Sequence, residues 1–208
     1  MKKFILPLLV SLGVITAGTE AKAAYGLFGF GGSYAIINAN GGGNIYYHMT
    51  NGANTAFDST VLGVFNPGIG NSLLLNGGEI QTFENGGDSV TSPASLFYRI
   101  YSGAPSGSFS SISLSNLTFP GPPGDEKRDN TTANIDVLSG LLNGSYTLEV
   151  FSSAAVDWNG QGGGPAEDTI FASNGGNNYK ATFTVVPEPS RIMLLGFGLV
   201  GLMFRRRR

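Results

Sequence analysis

Residues 143–151 read Asn-Gly-Ser-Tyr-Thr-Leu-Glu-Val-Phe (NGSYTLEVF), and their pattern decides the fold class. Asn143-Gly144 is a turn dipeptide, because both residues tolerate positive φ. Beyond it, Tyr146, Leu148 and Val150 alternate with Thr147, Glu149 and Phe151, so one face of an extended chain is apolar. Two further stretches share this period. In SLFYRIYS (95–102), Leu96, Tyr98 and Ile100 oppose Phe97, Arg99 and Tyr101, giving aromatics on both faces. In YKATFTVV (179–186), Tyr179, Ala181, Phe183 and Val185 oppose Lys180, Thr182, Thr184 and Val186.

The rest of the middle follows suit. Residues 33–39 and 44–50 flank Gly41-Gly42-Gly43 as a first hairpin, and short strands are expected at 61–65, 72–75, 79–84 and 109–117. The segment 119–132 (FPGPPGDEKRDNTT) holds three prolines and five successive charges, and is expected to be an exposed loop. Residues 133–142 read as a strand or one short helix. About ten short strands, Asn/Gly turns and no sustained helical period predict an all-β fold. The architecture expected is an antiparallel β-sandwich, jelly-roll or immunoglobulin-like.

The two ends are unlike this body. Residues 1–23 carry Lys2 and Lys3, an apolar stretch from Phe4 to Ile15, and Ala21-Lys22-Ala23 ahead of Ala24, the pattern of a secretory signal peptide cut between Ala23 and Ala24 by signal peptidase. A retained anchor is the rival reading. Residues 185–208 read VVPEPSRIMLLGFGLVGLMFRRRR. Pro187 and Pro189 cannot sit inside a helix, so a single transmembrane helix would begin after them. The apolar run from Ile192 to Phe204 is 13 residues long. At ~1.5 Å per residue it reaches roughly 20 Å, short of a ~30 Å hydrocarbon core. Arg191 can snorkel at one side, and Arg205, Arg206, Arg207 and Arg208 form a cytoplasmic stop under the positive-inside rule.

Pro187-Glu188-Pro189, the apolar segment and the arginine cluster, in that order, resemble the PEP-CTERM sorting signal of Gram-negative bacteria. The resemblance is confined to 186–208. It implies recognition and processing by the membrane protease exosortase, with the inner membrane as an intermediate station. It also implies a final place at the cell surface or outside, among exopolysaccharide or biofilm components. A plain tail anchor behind a Pro-rich linker is the alternative. The expected domains are thus the signal peptide (1–23), the β domain (24–185) and the sorting signal (186–208).

Whole-chain charge conceals the character of the body. Residues 24–190 keep four basic residues (Arg99, Lys127, Arg128, Lys180) against 13 acidic ones, a net charge of −9. Nucleic acid and anionic lipid both require clustered Lys and Arg, so neither is expected to partner this body. There is no cysteine, which excludes disulfides and thiol chemistry.

Candidate chemistry is sparse. Asp157-Trp-Asn-Gly-Gln-Gly-Gly-Gly-Pro-Ala-Glu-Asp168 places Asp157, Asn159, Gln161 and Asp168 at calcium-loop positions 1, 3, 5 and 12. Gln161 and the short Asp168 depart from the pattern, no helices flank it, and a Gly-rich hairpin loop is the rival reading. Trp158, with Tyr47 and Tyr101, is the candidate platform for stacking on sugars, against core-covering roles for the same rings. His48, the only histidine, lies in IYYHM on the face of Tyr46, as an ordinary strand residue. Glu79 with Glu84, or Glu167 with Asp168, could pair for glycoside hydrolysis, but their spacing serves solubility equally well. The sequons at Asn116, Asn130 and Asn143 are expected to be silent. The expected function is that of a non-enzymatic envelope or matrix protein. The alternatives are a carbohydrate-binding module and a secreted glycoside hydrolase.

Overall fold

A computed structural model describes residues 32–50, 54–83, 89–90, 94–120, 125–157 and 168–187. The signal-peptide segment, the motif residues Glu188 and Pro189, the apolar run and the arginine cluster lie outside these. Among the described residues no helix is long and apolar enough to cross a membrane.

Thirteen strands and two 3-10 turns follow one another among the described residues: β1 (Ser33–Ala39), β2 (Ile45–His48), β3 (Val61–Phe65), β4 (Leu73–Phe83), β5 (Ser89–Val90), β6 (Ala94–Tyr101), β7 (Ser110–Leu114), β8 (Asn116–Pro120), β9 (Asp125–Asn130), β10 (Ile135–Asp136), β11 (Gly144–Asp157), β12 (Asp168–Ala172) and β13 (Tyr179–Val185). They form two sheets. One runs β2-β1-β4-β9-β8 with β10 beside β4, and the other runs β3-β13-β11-β6-β7 with β12 and β5 beside β11. The all-β expectation holds. Pairing is antiparallel except between β3 and β13, which run parallel.

A single apolar cluster joins the sheets: Ala35, Ile37, Leu73, Leu75 and Ile80 from the first meet Leu96, Leu148, Val150, Ala181 and Phe183 from the second. The inward faces expected of 143–151 and 179–186 are the buried ones, with Tyr146 half-buried at the start of its strand. Burial of the larger of these side chains contributes about 1.5–3 kcal/mol each, and within each strand they alternate with outward residues except where a bulge in β4 separates Leu75 from Ile80.

Two expectations fail on the first sheet. Asn76-Gly77-Gly78 does not turn the chain; β4 continues through it, and the β1 register slips between Ile36 and Ile37 to accommodate Asn76 as a bulge. Gly77 has φ +134°, and a Cβ there would lie 2.0 Å from the Asn130 carbonyl oxygen. The glycine therefore serves close strand approach inside a ladder, not chain reversal. The charged run Asp125–Asn130 is likewise no loop. It is β9, seated between β4 and β8, with Asp129 buried and Lys127 bound to Glu79 at 2.8 Å. Alternation that aims charges at partners on the outer face escapes a reading based on hydropathy.

The expected strand 109–117 is divided. β7 ends at Leu114 in one sheet and β8 begins at Asn116 in the other, so the chain changes sheets at Ser115. Residues 133–142 give the two-residue β10 and a turn, not a helix.

Candidate functional site

Strand β13 delivers the chain to the Pro-Glu-Pro motif without a linker. Its last pairs are Val185 with Phe65 on β3 and Val185 with Gly144 on β11. The ladder continues one residue beyond the strand, where the Val186 amide donates to the Phe65 carbonyl at 2.9 Å. Asn66, buried at the end of β3, then donates its side-chain amide to the Pro187 carbonyl at 3.1 Å. The same side chain accepts from the Gly68 amide at 3.1 Å, capping the 3-10 turn Pro67–Ile69. The Asn66 backbone amide donates to the Asn71 side-chain oxygen at 3.0 Å. The first residue of the motif is thereby held by a turn about 120 residues earlier in the chain. No sequence pattern announces Asn66, because an Asn before Pro-Gly reads as an ordinary turn.

The outer face of the second sheet carries a polar and aromatic cluster. Arg99 and Glu149 are register partners on β6 and β11, and the guanidinium is bidentate on the carboxylate at 3.0 and 3.1 Å. Asn178 donates to Glu149 at 2.6 Å. Burial raises the affinity of the Glu149 carboxyl for its proton, but hydrogen bonds from Asn178, Arg99 and Tyr101 and the Arg99 charge outweigh it, leaving the group more acidic than usual. The guanidinium stacks 4.3 Å from the centre of the Phe109 ring. Phe109 meets Phe151 edge-on at 5.0 Å, Phe151 stacks on Phe97 at 4.7 Å, and Phe171, 59% exposed, closes the row at 6.4 Å. Alternation signalled this face: Phe97 and Arg99 oppose the core side of β6, as Glu149 and Phe151 oppose that of β11.

Of the residues singled out for glycan contact, Tyr47 and Tyr101 lie on different sheets. Tyr47 lies on β2 in the first sheet, half-buried with its ring edge-on to Phe57 at 6.2 Å. Tyr101 lies on β6 in the second sheet, 6% exposed, its hydroxyl pushed up by burial and then by Glu149. Trp158 lies outside the described residues. So do Asn159 and Gln161 of the calcium pattern, while Asp157 ends β11 and Asp168 opens β12, with Val156 paired to Asp168. Strands therefore flank that loop. Among the described residues no group of three or more metal-ligating side chains gathers.

His48 lines a cleft of about 440 Å³ with Met49, Thr50, Ala56, Asp58, Asn174 and Tyr179. Its Nδ1 is engaged by the Thr50 carbonyl at 2.5 Å, and Asp58 accepts from the Lys180 amide at 2.9 Å, so both polar groups have structural partners. Glu79 is buried against Lys127. Burial lowers that lysine, yet the hydrogen bond and charge of Glu79 raise it further, to a value above the usual. Glu84 and Glu167 lie outside the described residues. The cleavage-site alanines Ala21, Ala23 and Ala24 do as well.

Comparison with protein families matches residues 185–208 to the PEP-CTERM protein-sorting motif. The chain thus carries a sorting motif at this place, and the match opens on Val185, the last residue of β13. Such a motif implies an exported protein that is sorted through the membrane and processed by exosortase. Searches of curated proteins and of solved structures give no significant match.

Proposed function

We propose that this chain is a non-enzymatic protein of the cell envelope or extracellular matrix. It would be exported through residues 1–23, held at the inner membrane by a helix over Ile192–Phe204, and released to the surface by exosortase. The observation that carries the proposal is the direct passage of β13 into the sorting motif at Val185, which leaves the β domain as the body to be delivered. A working partner among exopolysaccharide components follows from the sorting motif together with the acidic body.

For the body we propose an immunoglobulin-like sandwich. The order β3-β13-β11-β6-β7 against β1-β4-β9-β8, with the parallel β3–β13 edge, supports it over a jelly roll. Tyr146 supports it too: at the start of β11 its hydroxyl donates to the Leu142 carbonyl four residues upstream at 2.8 Å, the arrangement of a tyrosine corner. A non-catalytic role is consistent with the engagement of Glu79 by Lys127 and of His48 by Thr50.

The row Phe97, Phe151, Phe109 and Phe171 favours a second reading, a carbohydrate-binding module working from the outer face of the second sheet. Affinity electrophoresis through gels containing exopolysaccharide decides between them. Retardation that Phe109→Ala with Phe171→Ala abolishes establishes binding at this face. Unchanged mobility on every polysaccharide rejects it. For the sorting role, a host lacking exosortase should retain the chain in its inner-membrane fraction; identical release with and without the enzyme refutes it.

A further inference from the structure

The end of the β domain from which Pro187 departs is sparsely charged, with Asp136, exposed at the close of β10, accepting from the Leu138 amide at 3.0 Å beside the last of its connections. Four connections close it: residues 40–44, 66–72, 102–109 and 137–143, joining β1 to β2, β3 to β4, β6 to β7 and β10 to β11. None contains Asp, Glu, Lys or Arg. At the opposite end, among the described residues, Asp58 lies in the connection from β2 to β3. Apolar side chains project at the same end as Pro187. Leu142 is 80% exposed beside the Gly144–Val185 pair, and Ile69, 66% exposed, sits in the turn capped by the residue that holds Pro187. Val64, exposed on β3, pairs with Thr184 just before the departure point.

The chain beyond fixes what this end faces. Four residues, and so five Cα–Cα steps, separate Pro187 from Ile192, where the apolar run begins. Fully extended they span about 17 Å. A bilayer's headgroup layer takes up roughly 5–7 Å of that on one side. The departure point at Pro187 therefore stays within about 10–12 Å of the headgroups while the run is inserted, and the two prolines stiffen the connection further. An anionic surface repels a body of net charge −9, and the repulsion is least when the most sparsely charged end faces it.

We propose that, in the unprocessed protein, this end docks on the bilayer surface, with Ile69 and Leu142 entering the headgroup region. The occupant is lipid in the membrane that holds the tail. Docking turns the end that carries Asp58 away from lipid. With Asn66 holding Pro187, it also sets the height of the Pro-Glu-Pro motif above the membrane. The proposal rests on insertion of the apolar run, and its test separates the two.

The chain has no cysteine, so single-cysteine variants Ile69→Cys, Leu142→Cys, Thr169→Cys and Leu195→Cys each carry one fluorophore. The full chain is reconstituted in vesicles of phosphatidylethanolamine and phosphatidylglycerol containing nitroxide lipids. Docking predicts headgroup-nitroxide quenching at Ile69 and Leu142 about threefold or more above that at exposed Thr169, with acyl-chain quenching at Leu195. Quenching at Leu195 with Ile69 and Leu142 no different from Thr169 overturns docking and leaves insertion standing. Absence of quenching at Leu195 overturns insertion, and docking with it. Asp at both 69 and 142, in a chain labelled at exposed Ser139→Cys, should abolish headgroup quenching while Leu195 stays quenched; persistence of the Ser139 signal also overturns docking.

Discussion

The side-chain amide of Asn66 donates to the carbonyl of Pro187 at 3.1 Å, tying the end of β3 to the first residue of the sorting motif. Because that side chain also caps Gly68, Asn66→Ala loses two hydrogen bonds at once. The expected cost is about 1–2 kcal/mol in urea unfolding. Faster deuterium exchange at the Val186 amide should accompany it, since that amide's bond to Phe65 is the next rung. Unchanged exchange at Val186 would show that Asn66 does not hold the motif.

Arg99→Met leaves Glu149, 2% exposed, without its bidentate partner. Removing one member of a buried pair costs on the order of 3 kcal/mol, because the remaining charge stays desolvated. The double variant Arg99→Met, Glu149→Leu should recover most of the loss. Equal losses in the single and double variants, read from urea midpoints, would contradict this account of the pair.

The same carboxylate predicts an acid dependence. Glu149 is more acidic in the folded protein than its ordinary value of 4.5. Its contribution is therefore complete above about pH 4.5, and it is lost as pH falls through the lower folded value. Urea midpoints followed downward from neutral pH should decline in that acidic window, and the decline should be shallower in Glu149→Gln. Parallel curves for the two proteins would count against it.

Gly77→Ala puts a Cβ against the Asn130 carbonyl oxygen at a φ of +134°. Both the backbone and the β4–β9 ladder must shift, at an expected cost on the order of 3 kcal/mol. Gly41→Ala, also at positive φ but with open space around its Cβ, should cost less in the same thermal melts. The reverse order would show that β4 does not run through the bulge.

These contrasts explain what could be read in the sequence. Tyr179, Ala181, Phe183 and Val185 were legible because their whole strand alternates between core and solvent. Gly77 and Gly78 fall in the gap between the expected strands 72–75 and 79–84, since the same dipeptide serves a turn and a bulge, and only the nearness of Asn130 tells them apart. Asp125–Asn130 was misread because hydropathy cannot distinguish charges facing water from charges facing Glu79. The sorting motif was legible from order alone, whereas its anchor Asn66 depends on a contact between distant segments. Tyr47 and Tyr101 are both strand aromatics, and only the topology assigns them to different sheets.

The most direct measurement is the intact mass of the protein recovered from cytosol, envelope and medium. The full chain is 21.7 kDa. The account predicts a mature species in the envelope or medium that lacks residues 1–23 and is cut at or beyond the Pro-Glu-Pro motif, retaining β13 through Val185. A 21.7 kDa chain confined to the cytosol with Arg205–Arg208 still attached would contradict it.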